Sequence, residues 1–256
     1  MKKMIMTLFL LCVALMTACG TTPAETTATT TEPTTVTTEP TTEIATEPTT
    51  EATVEASEDS DVTLYAEQIA RYYTALTEQW DEGAYYENEM SAMVAWYYEG
   101  NALENVGYAF KDMDGDGNNE LFIGAIDNAQ NDPLVFEIWT VVDGKPVMLA
   151  QSGSHNRYYT QYEAEVFNWS IAYEGENGAA NRSVLYLQIL DHELKVTQGI
   201  VFDAIADEAN PWFLTYDMDW DVTNDEPTDE DMANAIIENG NKIYTALEYT
   251  PYSEFN

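Results

Sequence analysis

The sequence predicts an α+β fold: a helix, a long antiparallel β-meander and a C-terminal helix, preceded by a disordered linker. Three observations carry that prediction. Tyr65, Ile69, Tyr72, Leu76 and Trp80 recur at spacings of 4, 3, 4 and 4, which is the period of one helix face. Between Gly107 and Phe202 the apolar period shortens toward two, and turn signals such as Asp143-Gly144-Lys145 separate the runs. From Thr21 to Ala56 there is no aromatic residue, and the segment is almost entirely Thr, Glu, Pro, Ala and Val.

Taken in chain order, the first element is a leader. Met1 to Gly20 reads MKKMIMTLFLLCVALMTACG: two lysines, an apolar run to Met16, then small residues before Cys19. A membrane-spanning helix needs about 20 apolar residues. The run is shorter, so residues 1–18 fit a signal-peptide hydrophobic region. The segment Leu15-Met16-Thr17-Ala18-Cys19 resembles the lipobox of bacterial lipoproteins, although Met16 stands where that family prefers Leu. The resemblance implies cleavage before Cys19, acylation of its sulfur by diacylglycerol with palmitate-type chains, and a membrane anchor on the extracytoplasmic face. Only Cys12 and Cys19 occur in the chain, and Cys12 leaves with the leader, so no disulfide is expected.

Residues 19–60 form the linker. TEPTT recurs at 31–35, 38–42 and 46–50. Such a tract buries too little apolar surface to offset its conformational entropy. Proline and mutual repulsion between glutamates favour extended geometry, at about 3.1 Å per residue. The expected role is a stalk that lifts the body through a cell wall.

Residues 61–256 are expected to be one α+β domain. A helix covers the stripe from Tyr65, and residues 85–98 add a second helix or helical turn. Strands are expected at 107–111, 120–126, 135–142, 146–150, 157–167, 169–173, 183–190 and 194–202, with Asp191-His192-Glu193 as the last hairpin turn. Thr228 with Asp231 marks the start of the final helix, whose apolar stripe Met232, Ile236, Ile243 and Leu247 continues across Gly240.

Charge narrows the partners. The chain has 9 basic and 46 acidic residues, a net charge of −37. Without Lys2 and Lys3 of the leader, seven basic residues face the same 46 acids, giving −39. Nucleic acid and anionic headgroups are repelled, which leaves the lipid anchor as the expected membrane contact. Cations are attracted.

The chemical motif is Asp112-Met113-Asp114-Gly115-Asp116-Gly117-Asn118-Asn119-Glu120. Counted from Asp112, acids stand at positions 1, 3, 5 and 9, with Gly117 at the sixth. Alternate side chains of a tight loop point inward, and the Asn118 carbonyl can add a backbone ligand. Hard oxygen donors with no His or Cys among them select calcium over zinc or copper. Without a cation, each carboxylate pair about 4 Å apart costs about 4 kcal/mol at an effective dielectric of 20. The loop resembles the DxDxDG calcium loops of EF-hands, dockerins and FG-GAP repeats. It departs from the EF-hand at position 12, where Ile123 replaces the bidentate Glu. The strand ELFIG that follows suits a strand-loop-strand version better. Leader, stalk and loop together resemble uncharacterised lipoproteins of Gram-positive bacteria, a likeness that supplies no activity. The expected ligands are therefore Asp112, Asp114, Asp116, Asn118 and Glu120, and the expected ion is Ca²⁺. A second cluster, Asp217, Asp219 and Asp221 with Asp225, repeats the spacing but has Val222 in the glycine's place.

No catalytic motif accompanies the loop. His155 does not sit in a G-x-S-x-G elbow, and His192-Glu193 does not continue to HExxH, so both histidines are expected to be turn residues. The reading is a non-catalytic binding or interaction domain on the cell surface. The alternatives are a carbohydrate- or cell-wall-binding module using exposed aromatics among Trp80, Trp96, Trp139, Trp169, Trp212 and Trp220, a surface-protein partner, or an extracytoplasmic hydrolase.

Overall fold

The computed structural model describes residues 58–126, 134–166 and 168–255, all within one compact unit. The expected leader, Cys19 and all but the end of the stalk lie outside the described residues. The expected boundary at residue 61 moves slightly, because Glu58 already begins a helix.

The N-terminal helices are α1 (Glu58–Leu64), α2 (Ala66–Glu78) and α3 (Glu82–Glu87), followed by a 3₁₀ turn at Ala92–Tyr97 and α4 (Ala102–Asn105). The apolar stripe of α2 buries Ile69, Tyr72 and Leu76, as the spacing predicts. Full burial of a large apolar side chain contributes about 1.5–3 kcal/mol, so this short helix is held by its packed face. Gln79 ends α2 in the left-handed region, and Asp81 caps α3 by accepting the Ala84 N–H.

Eleven strands among the described residues follow: β1 (Val106–Lys111), β2 (Glu120–Ala125), β3 (Leu134–Val142), β4 (Lys145–Gln151), β5 (Asn156–Glu163), β6 (Asn168–Glu176), β7 (Asn181–Leu190), β8 (Glu193–Asp203), β9 (Trp212–Thr215), β10 (Glu226–Pro227) and β11 (Thr250–Pro251). They make one antiparallel sheet in the order β10-β9-β8-β7-β6-β5-β3-β2-β1-β11, with β4 paired to β3 off that path. The protein is thus mostly antiparallel sheet with a few helices. α5 (Glu230–Asn241) packs Ala233, Ile236 and Ile237 against Ile200, Phe202 and Trp212. Its cap is Asp229, which accepts the Met232 N–H, in place of the expected Thr228. The helix stops at Asn241, so Ile243 and Leu247 do not extend it.

Two turns share one solution. Asp143-Gly144 and Asp191-His192 all have positive φ, from 51° to 71°, the conformation that two-residue hairpins demand. The sheet also folds over on itself. One buried cluster joins Ala109, Phe122 and Ile138 of β1 to β3 with Ile171, Leu185, Leu187 and Ile189 of β6 and β7. The tip of the β7–β8 hairpin thereby meets the β1–β2 connection, although three strands separate the two hairpins in the sheet order. The other face of β1 to β3 carries the N-terminal helices.

Candidate metal centre

β1 and β2 pair through Lys111 and Glu120, so residues 112–119 must reverse the chain between adjacent strands. Gly115 and Gly117 supply the reversal with φ of 78° and 89°. Nothing stands within 4 Å of an added Cβ at either position. Conformation, and not space, therefore requires glycine here.

The aspartates are wired to the backbone ahead of them. Asp112 Oδ1 accepts the Gly115 N–H at 2.7 Å, and Oδ2 accepts the Gly117 N–H at 3.1 Å. Asp114 accepts the Asp116 N–H at 3.1 Å, and Asp116 accepts the Asn118 N–H at 2.7 Å. The Asn118 amide also donates to both Asp116 oxygens, at 3.2 and 3.1 Å. Glu120, only 1% exposed, closes the base of the loop. Its Oε2 accepts the Met113 N–H at 3.0 Å, and its Oε1 accepts the hydroxyl of buried Thr140 on β3, also at 3.0 Å.

Two overlapping groups result. Carboxylate oxygens of Asp112, Asp114 and Glu120 lie within 4.8 Å of one another. Oxygens of Asp114 and Asp116 and a ring nitrogen of His192 lie equally close. Three hard oxygens converging in this way suit a calcium-like cation. Of the five residues expected from the sequence, Asp112, Asp114 and Glu120 come together, and Asp116 joins Asp114 on the His192 side. The Asn118 side chain is held by Asp116.

Electrostatics fits an incomplete charge balance. Burial pushes the Glu120 carboxyl up to about 7; bonds from Met113 and Thr140 oppose that rise, and the charges of Asp114 and Asp116 add to it. Asp114 is also raised, first by burial and then by Asp116 and Asp112, while the Asp116 N–H and His192 pull it down.

The surroundings hold residues the sequence reading missed. The Tyr65 hydroxyl donates to the Asn119 carbonyl at 2.8 Å, and the Asn119 amide donates to buried Asp61 at 2.7 Å. These contacts fix the end of the loop to α1 and the α1–α2 junction. His192 lies in a turn, as expected, but not simply at the surface. Its Nδ1 is buried and, among the described residues, makes no hydrogen bond. No sequence signal links positions so far apart, because the fold-over of the sheet brings them together.

The second cluster behaves differently. Asp217 accepts the Asp219 N–H at 3.2 Å, Asp219 the Asp221 N–H at 2.8 Å, and Asp221 the Thr223 N–H at 3.0 Å. Asp221 thus caps a 3₁₀ turn at Val222–Asn224. Among the described residues these aspartates do not gather into a group of three.

The sugar-platform alternative needs several exposed rings on one face. Trp139 and Trp212 are buried, Trp80, Trp169 and Trp220 are half-buried, and Trp96 alone of the six is exposed. Trp169 packs on Tyr162, with Lys111 Nζ 5.7 Å from its ring centre. A buried acid elsewhere, Glu137, is engaged by the Ser91 N–H, Trp139 Nε1 and Gln151 Nε2, the donors of a structural role. No helix among the described residues is long and apolar enough to cross a membrane. Comparison with known proteins finds no matching family model, no matching curated protein and no matching solved structure.

Proposed function

We propose that the protein is a lipid-anchored, extracytoplasmic surface protein whose β-rich body holds one structural calcium ion in the 112–120 loop and serves in binding, not catalysis. The observation that carries the metal reading is the convergence of Asp112, Asp114 and Glu120 within 4.8 Å, with Glu120 buried at the base. Half-buried Asp112 and Asp114 gathered against buried Glu120 without a counter-charge are costly, and a divalent cation removes that cost. The loop joins the first two strands of the sheet, so an ion there braces the strands on which the helices pack. The lipoprotein part of the proposal rests on the Leu15-to-Cys19 sequence and the Thr/Glu/Pro tract.

Calcium that binds only the folded state stabilises it by about 2.7 kcal/mol at one hundred times Kd. Extracellular calcium modules are commonly tuned to roughly 10⁻⁴–10⁻³ M, so the test uses millimolar calcium. The melting temperature is measured in calcium and in sodium chloride of matched ionic strength, for wild type and Asp114→Asn. Asparagine keeps an oxygen for the Asp116 N–H and removes the charge. Wild type should gain several degrees from calcium specifically, and the variant little or nothing. Equal calcium shifts in both proteins would sink the metal assignment.

A further inference from the structure

A second site lies away from the loop, in the space between α5 and strands β5, β6 and β7. A cavity of about 300 Å³ opens there, lined by His155, Arg157, Glu174, Glu176 and Arg182, with Ile237 of α5 on the far wall. In a chain with 46 acids and 9 basic residues, two arginines and one of the two histidines share this one cavity.

The arginines are not neutralised. Arg157 stands opposite Glu174, and Arg182 opposite Glu176, in the strand register. Neither guanidinium forms an ion pair with a described carboxylate. Glu174 instead accepts the Tyr244 hydroxyl at 3.0 Å, and Glu176 lies 3.4 Å from His155 Nδ1. The Arg182 guanidinium lies over the rings of Phe202 and Trp212, at 5.2 and 5.1 Å from their centres. Stacking fixes its plane and leaves its edge N–H groups free to donate. Among the described residues the Arg157 guanidinium makes no hydrogen bond at all.

We propose that this cavity binds a small ligand with one carboxylate, gripped by Arg157 and Arg182, and with N–H or O–H donors that meet Glu174 and Glu176. Planar guanidinium forks match carboxylate geometry, and two of them facing one space are what such a group requires. The two glutamates and the negative field of the chain reject polyanions, which argues for a single carboxylate over a phosphate ester. About 300 Å³ lies at the small end of ligand pockets, which suits a molecule the size of an amino acid, a dipeptide or an acidic monosaccharide. Amino acids and uronic acids share this chemistry.

The test is calorimetric titration of the full chain with alanine, alanyl-alanine and glucuronate, with glucose and inorganic phosphate as controls. At least one carboxylate probe should bind and both controls should not; which probe binds separates the amino-acid source from the sugar-acid source. Arg157→Gln and Arg182→Gln should each weaken binding by on the order of tenfold or more, as expected for a lost charge-assisted contact. Lys145→Gln, remote from the cavity, should not. Arg182 is exposed, so its variant keeps the test valid even if Arg157→Gln misfolds. Absence of binding by all three carboxylates, equal binding by Arg182→Gln, or preferential binding of phosphate would overturn the proposal. The calcium response is read separately on the same proteins, so failure here is distinguishable from failure of the metal reading.

Discussion

Two loops of this protein carry the same acidic spacing and reach opposite outcomes. Residues 112–120 and 217–225 both place acids at positions 1, 3, 5 and 9. Both also use each aspartate to accept a backbone N–H further along. They part at the fourth and sixth positions, Gly115 and Gly117 against Trp220 and Val222. Gly117 takes φ of 89°, the chain doubles back, and Asp112 bonds both Gly115 and Gly117, so its carboxylate sits inside the turn. Val222 cannot adopt that conformation at low cost. It enters a 3₁₀ turn and buries its side chain against Val201 and Phe213, and the aspartates run along the chain without converging. Spacing supplies the carboxylates; the left-handed backbone at Gly115 and Gly117, where the second loop has Trp220 and Val222, decides whether they meet.

The sharpest way to break this comparison is to exchange the sixth residues. Gly117→Val forces a β-branched residue into the left-handed region, which costs about 1–3 kcal/mol. It should also abolish the calcium response, for a further loss of about 2.7 kcal/mol at one hundred times Kd. Thermal melts with calcium and with chelator separate the two parts. A variant that retains the full calcium shift would show that the doubled-back turn is not what gathers the ligands. The converse change, Val222→Gly, should cost about 2–3 kcal/mol through lost packing against Val201 and Phe213 and added chain entropy. It should create no calcium response, because Asp221 still caps the following turn. A new calcium shift in that variant would mean the glycine alone suffices.

The ninth residues sharpen the contrast through pH. Glu120 is buried and its carboxyl is raised to about 7 from an ordinary value near 4.5. Between those values the folded state holds a proton that the unfolded chain has released. In chelator, therefore, the Glu120 contribution to stability is fully present below about pH 4.5 and is lost as pH rises through about 7, by on the order of 3 kcal/mol. Glu120→Gln should flatten that fall, and saturating calcium should offset it in wild type. Asp225 in the second loop is also raised, by burial first and then by the charges of Asp217, Asp219 and Asp221, against a hydrogen bond from Thr215. It is more open to solvent than Glu120, so Asp225→Asn should alter the pH profile much less. Matched pH melts of the two variants check both expectations; a larger change in Asp225→Asn would reverse the ranking of the loops.

How much of this was legible in the sequence follows the same division between local and distant. The stripe through Ile69, Tyr72 and Leu76 and the turns at Asp143-Gly144 and Asp191-His192 are local patterns, and each lies where its period or turn chemistry puts it. Tyr65 and Trp80 flank α2 without joining it, and Asp116 of the first loop is exposed. The end of α5 was misread because Ile243 and Leu247 keep helical spacing past the point where the helix stops. Thr140, Tyr65, Asp61 and His192 were invisible as site residues. Thr140 reaches Glu120 across strand pairing, Asp61 arrives on α1 and Tyr65 at the α1–α2 junction, and His192 arrives by the folding of the sheet over its own core. Arg157 and Arg182 likewise share a cavity only through the register of β5, β6 and β7.

The smallest effect belongs to a neighbour that the second loop lacks. His192 approaches Asp114 and Asp116 from the β7–β8 turn, with its Nδ1 buried and unbonded among the described residues. Its φ of 61° suits asparagine, which tolerates the left-handed region better than most residues, so His192→Asn removes the imidazole without forcing the turn. Calcium prefers oxygen donors and makes little use of an imidazole. The variant should therefore keep most of the calcium-dependent melting shift, with a change in stability below about 0.5 kcal/mol in chelator. Asp114→Asn, which acts on both overlapping groups, should lose the shift. If His192→Asn loses as much of it as Asp114→Asn, the nitrogen is a ligand. The site would then belong to a softer cation held between two hairpins, and not to calcium held within one loop.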